Sequence, residues 1–272
     1  MQLGVNVPNF GPGTDPGVMR EWARIVEGLG FDLLMVSDHV AVTPDVAVRY
    51  PEPFYEPFTT LSWLAGITTT LRLGTTVLVL PYRHPLLVAR MAANLNQLSG
   101  GRLVLGVGVG GARQEFEALG VPFAARGRLT DEHLNTLRKA WREEADDQTS
   151  AIPIWVGGNS EAAIRRTIRY GDAWHPLRVT LPELRSALAK HSLPALAPRI
   201  ALRLTTTPIN EPNRIAGTGT LEQILDDLDQ LYRLGADTVL LDPYHGDPEE
   251  TRRPHTAWQA LTAVATHWRN PS

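Results

Sequence analysis

The sequence predicts an α/β fold of the (β/α)8 TIM-barrel type, a single domain over residues 1–272, and three observations carry the prediction. Short apolar runs alternate with longer amphipathic stretches from end to end, with no block of consecutive strands. Eight strand–helix pairs can be counted, the number at which a parallel sheet closes into a barrel. The fourth and eighth strand candidates contain continuous apolar runs, Leu103-Val104-Leu105 and Val239-Leu240-Leu241, as strands covered on both faces should. An open doubly wound sheet is the rival; the strand count favours the closed form.

The elements follow in order. Leu3 to Pro8 reads as the first strand, and Met19 to Leu29 as a helix stopped by Gly30. Leu33 to Val36 is the second strand, ending in Ser37-Asp38-His39, and a Pro-rich loop runs to about Pro57. Phe58 to Thr69 is helical, and Leu73 to Leu80 is a third strand. Leu87, Val88, Met91, Leu95 and Leu98 share one face of a helix from Pro85 to Leu98, which Ser99-Gly100-Gly101 ends. The fourth strand, Leu103 to Leu105, flows into a glycine-rich stretch, and Leu134, Leu137 and Trp141 mark the next helix. Ile152 to Val156 is the fifth strand, with a helix running to Tyr170 behind it. Ala173 to His175 is the sixth, Pro182 to Lys190 a short helix, and Ile200 to Thr206 the seventh. Thr220 caps a helix carrying Leu221, Ile224, Leu225, Leu228 and Leu231, which Gly235 closes. Thr238 to Leu241 is the eighth strand, and Thr256 to Trp268 the last helix.

Composition narrows the class. Apolar residues make up 43% of the chain, enough for a full core, and the net charge of −3 suggests neither nucleic acid nor an anionic membrane as partner. The absence of cysteine excludes disulfides, thiolate nucleophiles and cysteine-held metals. The first residues run straight into a strand without a basic, then apolar, leader, and no run reaches the ~20 apolar residues of a membrane span. A soluble, cytoplasmic protein acting on a small-molecule substrate is the expectation.

Candidate chemistry gathers at the strand ends, the face where barrel enzymes keep their catalysts. Asp38 and His39 close the second strand; a histidine there can donate to a carbonyl or relay a proton. The plainer alternative is a structural pair bonded to backbone. Gly157-Gly158-Asn159-Ser160, between the fifth strand and its helix, can bring amides to an anion at a helix N-terminus, or can be a tight turn with a serine cap. Gly106, Gly108 and Gly110 alternate along the end of the fourth strand, which reads as room for a flat ring to pass. Tyr82, Arg83 and His84 follow the third strand as substrate contacts, with His84 as a helix cap the alternative. Trp174, His175 and Tyr244 point to the same rim as pocket walls.

Several motifs together resemble the luciferase-like monooxygenase family. They are Leu29-Gly30-Phe31-Asp32 with Val36-Ser37-Asp38-His39, Leu71 to Val77, Arg83-His84-Pro85, and Leu98 to Leu103. Leu105 to Gly110, Glu115 to Gly120, Ile154 to Ser160 and Gly171-Asp172-Ala173-Trp174 complete the set. The ordered series covers nearly the whole chain and is most similar to the branch using the deazaflavin coenzyme F420. The resemblance implies an oxidoreductase that moves a hydride between F420 and an organic substrate, with FMN-dependent monooxygenation the alternative. It implies a cofactor among Asn6, Thr76, Val77 and the glycines above, its phosphate on Gly157 to Ser160, and His39 beside the ring. It also implies a non-proline cis peptide at Thr76–Val77, a homodimer, and a barrel whose connection before the fifth strand is shortened at Ala145 to Ser150. Two departures matter. Val109 stands near an arginine that grips FMN phosphate in bacterial luciferases, and Gly111 stands where some sugar-phosphate dehydrogenases of the branch carry a glutamate. Two other classes stay open. A metal-dependent barrel hydrolase would use His39, His84, His175 and His245, although the first strand lacks a His-x-His pair and no metal is expected. A non-catalytic flavin-binding protein is the other.

Overall fold

Strand interiors in this chain change character from one end to the other, and that change positions the site. The protein is described by a computed structural model over residues 1–143 and 152–268. Its strands are β1 (Gln2–Asn6), β2 (Leu33–Val36), β3 (Arg72–Thr75), β4 (Leu78–Val79), β5 (Leu103–Gly108), β6 (Ile154–Gly157), β7 (Ala173–His175), β8 (Arg199–Ala201), β9 (Arg203–Leu204), β10 (Thr218–Gly219) and β11 (Thr238–Asp242). They pair in parallel in the order β7-β6-β5-β3-β2-β1-β11-β8, with β4 continuing β3 against β5. Backbone bonds from Arg178 N–H to Arg199 O (2.9 Å) and from Arg199 N–H to Pro176 O (2.8 Å) join the two ends of that path. The fold is the (β/α)8 barrel that the alternation predicts.

Period-two geometry sorts each strand into two faces. Val5, Leu34, Leu73, Leu105, Val239 and Leu241 face outward into the main core beneath the helices. Leu33, Met35, Val104, Trp155, Ala173, Ala197 and Leu240 fill the barrel itself. Two residues further along the same strands the interior turns polar or bare: Ala173 gives way to His175, Ala197 to Arg199, Leu240 to Asp242, and Val104 to Gly106 and Gly108. The lower barrel is thus an apolar plug, and the upper barrel a floor for chemistry.

The helices bury single stripes against this wall. In α1 (Pro16–Gly28), capped by Asp15, Met19, Trp22, Ala23 and Val26 are buried at helical spacing. Each large side chain so buried contributes roughly 1.5–3 kcal/mol. α3 (Pro57–Ala65), α4 (Pro85–Leu98) and α6 (Arg126–Glu143) do likewise, and α7 (Glu161–Tyr170) is capped by Ser160. The helix after β7 is α8 (Leu181–Lys190); α9 (Leu221–Arg233) carries a capping box between Thr220 and Gln223, and α10 (Pro254–His267) is the last. Two short helices in the loops, α2 (Pro44–Ala47) and α5 (Arg113–Ala118), are absent from the sequence expectation.

Three strand expectations need correction. The third strand is not continuous from Leu73 to Leu80: it stops at Thr75, passes through a cis Thr76–Val77 peptide, resumes as β4 and ends in a 3-10 turn over Leu80–Tyr82. The seventh does not run from Ile200 to Thr206. After Ala201 the chain turns to pair with β10, because Gly217 O and Gly219 O take the amides of Arg203 (2.9 Å) and Thr205 (2.8 Å). The fourth extends to Gly108 and so carries its pairing into the glycine stretch. The shortened connection at Ala145 to Ser150 lies outside the described residues. Among the described residues, no helix is long and apolar enough to cross a membrane.

Candidate active site

The interrupted third strand dictates what its neighbours can be. A Cβ on Gly106 would stand 2.0 Å from the Thr75 carbonyl oxygen, and one on Gly108 would stand 2.5 Å from a methyl of Val77. Gly157 meets the other Val77 methyl at 2.7 Å. These glycines therefore make room for the bulged strand, and Gly108, Gly110, Gly157 and Gly158 also line the cleft above it. What remains above them is a cleft of about 320 Å3 lined by Thr76, Val77, Gly108, Gly157, His175 and Arg199, among others.

The floor of the cleft is one connected network. Arg199 donates from Nε (3.0 Å) and Nη2 (2.8 Å) to Asp242 Oδ2, and from Nη1 to the carbonyl (2.8 Å) and hydroxyl (3.2 Å) of Thr76. Asp242 Oδ1 accepts from the Asn6 side-chain amide at 2.9 Å. The Thr76 hydroxyl donates to His175 Nε2 (2.9 Å), while His175 Nδ1–H donates to Ala197 O. Burial lowers the His175 pKa to about 4, and the Arg199 charge pushes the same way. The ring is a neutral brace rather than a proton carrier. Asn6 Oδ1 is buried without a hydrogen-bond partner, an unpaired acceptor that such an interior rarely tolerates.

One wall of the cleft leads to His39. Val79 lines the cleft and also donates its N–H to Asp38 Oδ2 at 2.9 Å. Gly110, at φ 75°, packs between Val79 and Phe116. The residue before Phe116 is Glu115, fully buried, and its Oε2 lies 2.7 Å from His39 Nδ1. Glu115 also accepts from the amides of Val40 (2.6 Å) and Ala41 (3.1 Å) and from the Tyr82 hydroxyl (2.9 Å). Burial alone would raise the Glu115 pKa; the His39 contact and the two amides outweigh it and hold the group below the usual carboxylate range. Burial and Glu115 together push the Tyr82 pKa up, so its hydroxyl is a fixed donor. A carboxylate accepts only, so His39 carries its proton on Nδ1, and Nε2 makes no hydrogen bond among the described residues. The ring lies against Tyr50 (5.2 Å) and Phe54 (5.4 Å).

The other sequence candidates fall in different places. Asp38 is buried and held in a fork by Arg83 at 2.8 Å to each oxygen, with Glu56 on the outer side of the same guanidinium. Both charges of Asp38 and Arg83 are thereby occupied. His84 caps α4 through Nδ1, its alternative reading. Trp174 is buried and donates to Gly158 O at 2.8 Å, supporting the loop from behind. The Asn159 side chain clamps both backbone groups of Leu177 at 2.8 Å, and Ser160 accepts from Ala163 N–H. Tyr244 packs on Phe10 and Tyr50 and donates to Arg49 O. The histidines considered as metal ligands do not converge, and no cluster with metal-holding potential stands among the described residues.

Three functional candidates escaped the sequence reading. Glu115 supplies a carboxylate at the His39 ring although Gly111 does not; the signals were its place in the Glu115 to Gly120 motif and the helix face it shares with Phe116 and Leu119. Arg199 and Asp242 were legible by alternation, since each continues an inward-facing series two residues beyond an apolar member.

Residues 1–211 match the model of the luciferase-like monooxygenase family. An uncharacterized protein of Mycobacterium tuberculosis is 34% identical over 180 residues, covering 56% of this chain and 62% of its own. A phthiodiolone/phenolphthiodiolone dimycocerosates ketoreductase of the same species is 34% identical over 188 residues, 57% of this chain and 49% of its own. The matched segment thus spans less than two thirds of either relative. The oxygenating constituent of 3,6-diketocamphane monooxygenase from Pseudomonas putida, solved with FMN, superposes with a TM-score of 0.74 at 17% identity, covering 98% of this chain and 97% of that one. An F420-dependent secondary alcohol dehydrogenase, solved with an F420–acetone adduct, gives 0.71 at 16%, covering 97% and 98%. At such identities these likenesses are of fold alone. With the family model covering most of its length, the chain belongs to the luciferase-like monooxygenase family of oxidoreductases.

Proposed function

We propose that the protein is an F420-dependent oxidoreductase that moves a hydride between the deazaflavin and a small organic alcohol or carbonyl compound. One observation carries the reading: beside a glycine-lined cleft at the strand ends, and joined to its lining through Val79 and Gly110, His39 is locked by Glu115 with Nε2 unbonded among the described residues. The residues present fit a planar imide-containing ring. The cleft volume lies at the lower end of the ~300–1,000 Å3 range of cofactor and ligand pockets. Arg199 and Thr76 present polar groups to the cleft, and Asn6, joined to Arg199 through Asp242, keeps an unpaired Oδ1 in the same network. Beyond Ser160, which takes the Ala163 amide, the amides of Glu161 and Ala162 precede the first intrahelical bond, where an anion would be received.

The cofactor would supply the two-electron carrier; the protein supplies the proton and the positioning. His39 Nε2 takes the proton from a substrate hydroxyl during oxidation, or returns it to a carbonyl oxygen during reduction. Glu115 stays ionised through its other donors and stabilises the imidazolium that forms, without itself taking the proton. Tyr50 and Phe54 exclude water from one side of the imidazole and offer an apolar face to the substrate. The Asp38–Arg83 fork fixes the loop that presents His39. The ketoreductase similarity and the valine at Val109 support this assignment. A second reading, FMN-dependent monooxygenation, draws support from the FMN-bound fold neighbour.

The test is reconstitution. The purified protein is titrated with coenzyme F420 and with FMN, following absorbance and fluorescence, and oxygen uptake is then measured with each cofactor reduced. F420 binding without oxygen uptake sustains the assignment. FMN binding with substrate-dependent oxygen uptake replaces it with the second reading, and binding of neither removes both.

A further inference from the structure

The floor network contains a full charge to which the mechanism above gives no task. Arg199 lines the cleft with its side chain only 11% exposed, and a guanidinium stays protonated in any protein interior. Four of its five N–H donors are fixed, two on Asp242 and two on Thr76. The second Nη2 proton has no partner among the described residues. Asp242 stands behind, 1% exposed, its oxygens taken up by Arg199, Asn6 and the Tyr244 amide. The pair therefore turns its positive end toward the cleft. Of the acids near the cleft, Asp38 is paired with Arg83, and Glu115 is held by hydrogen bonds from His39, Tyr82, Val40 and Ala41.

We propose that Arg199, oriented by Asp242, stabilises the negative charge that arrives with the hydride and so sets how much more tightly the protein holds the reduced cofactor than the oxidised one. This rests on the cofactor assignment above. A hydride leaving a substrate carries two electrons and one proton; the substrate is oxidised by those two electrons. The acceptor gains one negative charge unless a second proton follows. Inside a cleft screened from water, a fixed cation acts on that charge more strongly than it would in solvent. The neutral state of His175 leaves Arg199 as the cation of this floor. Its role is that of a positioned charge, not of a proton donor.

The measurement is the ratio of dissociation constants for oxidised and reduced coenzyme F420, with FMN in parallel, in wild type, Arg199→Gln, Arg199→Lys and Asp242→Asn. Arg199→Gln should lower the preference for the reduced form at least about tenfold, a fall of about 30 mV in the two-electron potential of the bound cofactor. Arg199→Lys should restore most of the preference. Asp242→Asn, which removes the opposing charge, should shift it the other way. Equal weakening of both redox forms in Arg199→Gln, or a shift in Asp242→Asn of the same sign as in Arg199→Gln, overturns the proposal while leaving the cofactor assignment intact. If Arg199→Gln does not fold, the sign of the Asp242→Asn shift decides. Wild type that binds neither cofactor overturns both readings together.

Discussion

His39 and His175 both stand at strand ends around one barrel mouth, and their surroundings give them opposite natures. His39 has its Nδ1 on a buried carboxylate and its Nε2 open; His175 has its Nδ1 on a carbonyl and its Nε2 on a threonine hydroxyl. Burial, seconded by the Arg199 charge, keeps the His175 ring neutral although the Ala197 carbonyl favours its protonated form. The mouth thus separates an edge whose histidine keeps one nitrogen unbonded among the described residues, at β2 and α5, from a floor whose histidine has both nitrogens engaged, at β7, β8 and β11. The lesson is that residue type and position at a strand end do not define a catalyst; the partner on the far nitrogen does.

The comparison is broken most directly by kinetics. His39→Gln should lower kcat by about 100- to 10,000-fold, the range of a lost general acid–base, while cofactor affinity is retained. His175→Gln should leave the pH profile of kcat unchanged in shape. An equal loss of kcat in both variants would abolish the distinction.

Acid stability sharpens it. The unfolded chain protonates His175 near its ordinary value of 6.5, the folded one only near 4. The contribution is therefore constant above the upper value, declines as pH falls through that window, and levels off below the lower one, a loss of about 3 kcal/mol in all. Denaturant unfolding across this range should show the decline in wild type and a clearly smaller one in His175→Gln.

Smaller effects probe the edge. Glu115→Gln presents an amide to donors that a carboxylate had satisfied, so about 1–3 kcal/mol of stability should go, together with part of the His39 contribution to kcat. Tyr82→Phe removes one neutral donor from Glu115 and should cost about 1 kcal/mol, with kcat changing least of the four. Thermal unfolding and steady-state rates on the same preparations check both.

The same division explains what the sequence made legible. Apolar periodicity marks the barrel because Leu33, Met35 and Leu240 repeat a burial pattern that many residues share. The Arg199–Asp242 pair was within reach of that logic, but a strand begun at Ile200 left the arginine outside it. Glu115 lies on a six-residue helix, too short for periodicity to separate it from the exposed Glu117. The cis Thr76–Val77 bond followed from resemblance alone, since local propensity never favours it. The alternation of glycines was visible, but its first cause, a neighbouring strand bulging toward them, is a tertiary fact.

The amide of Asn6 and the carboxylate of Asp242 meet at 2.9 Å across 236 residues of chain, on strands that lie side by side. A ring bound against Thr76 and Arg199 would sit beside the junction where the first and last strands of the barrel are stitched together, as a button does over a placket. Pulling the molecule by its two termini loads this junction early, so single-molecule force traces taken with and without ligand should show the bound form yielding at higher tension.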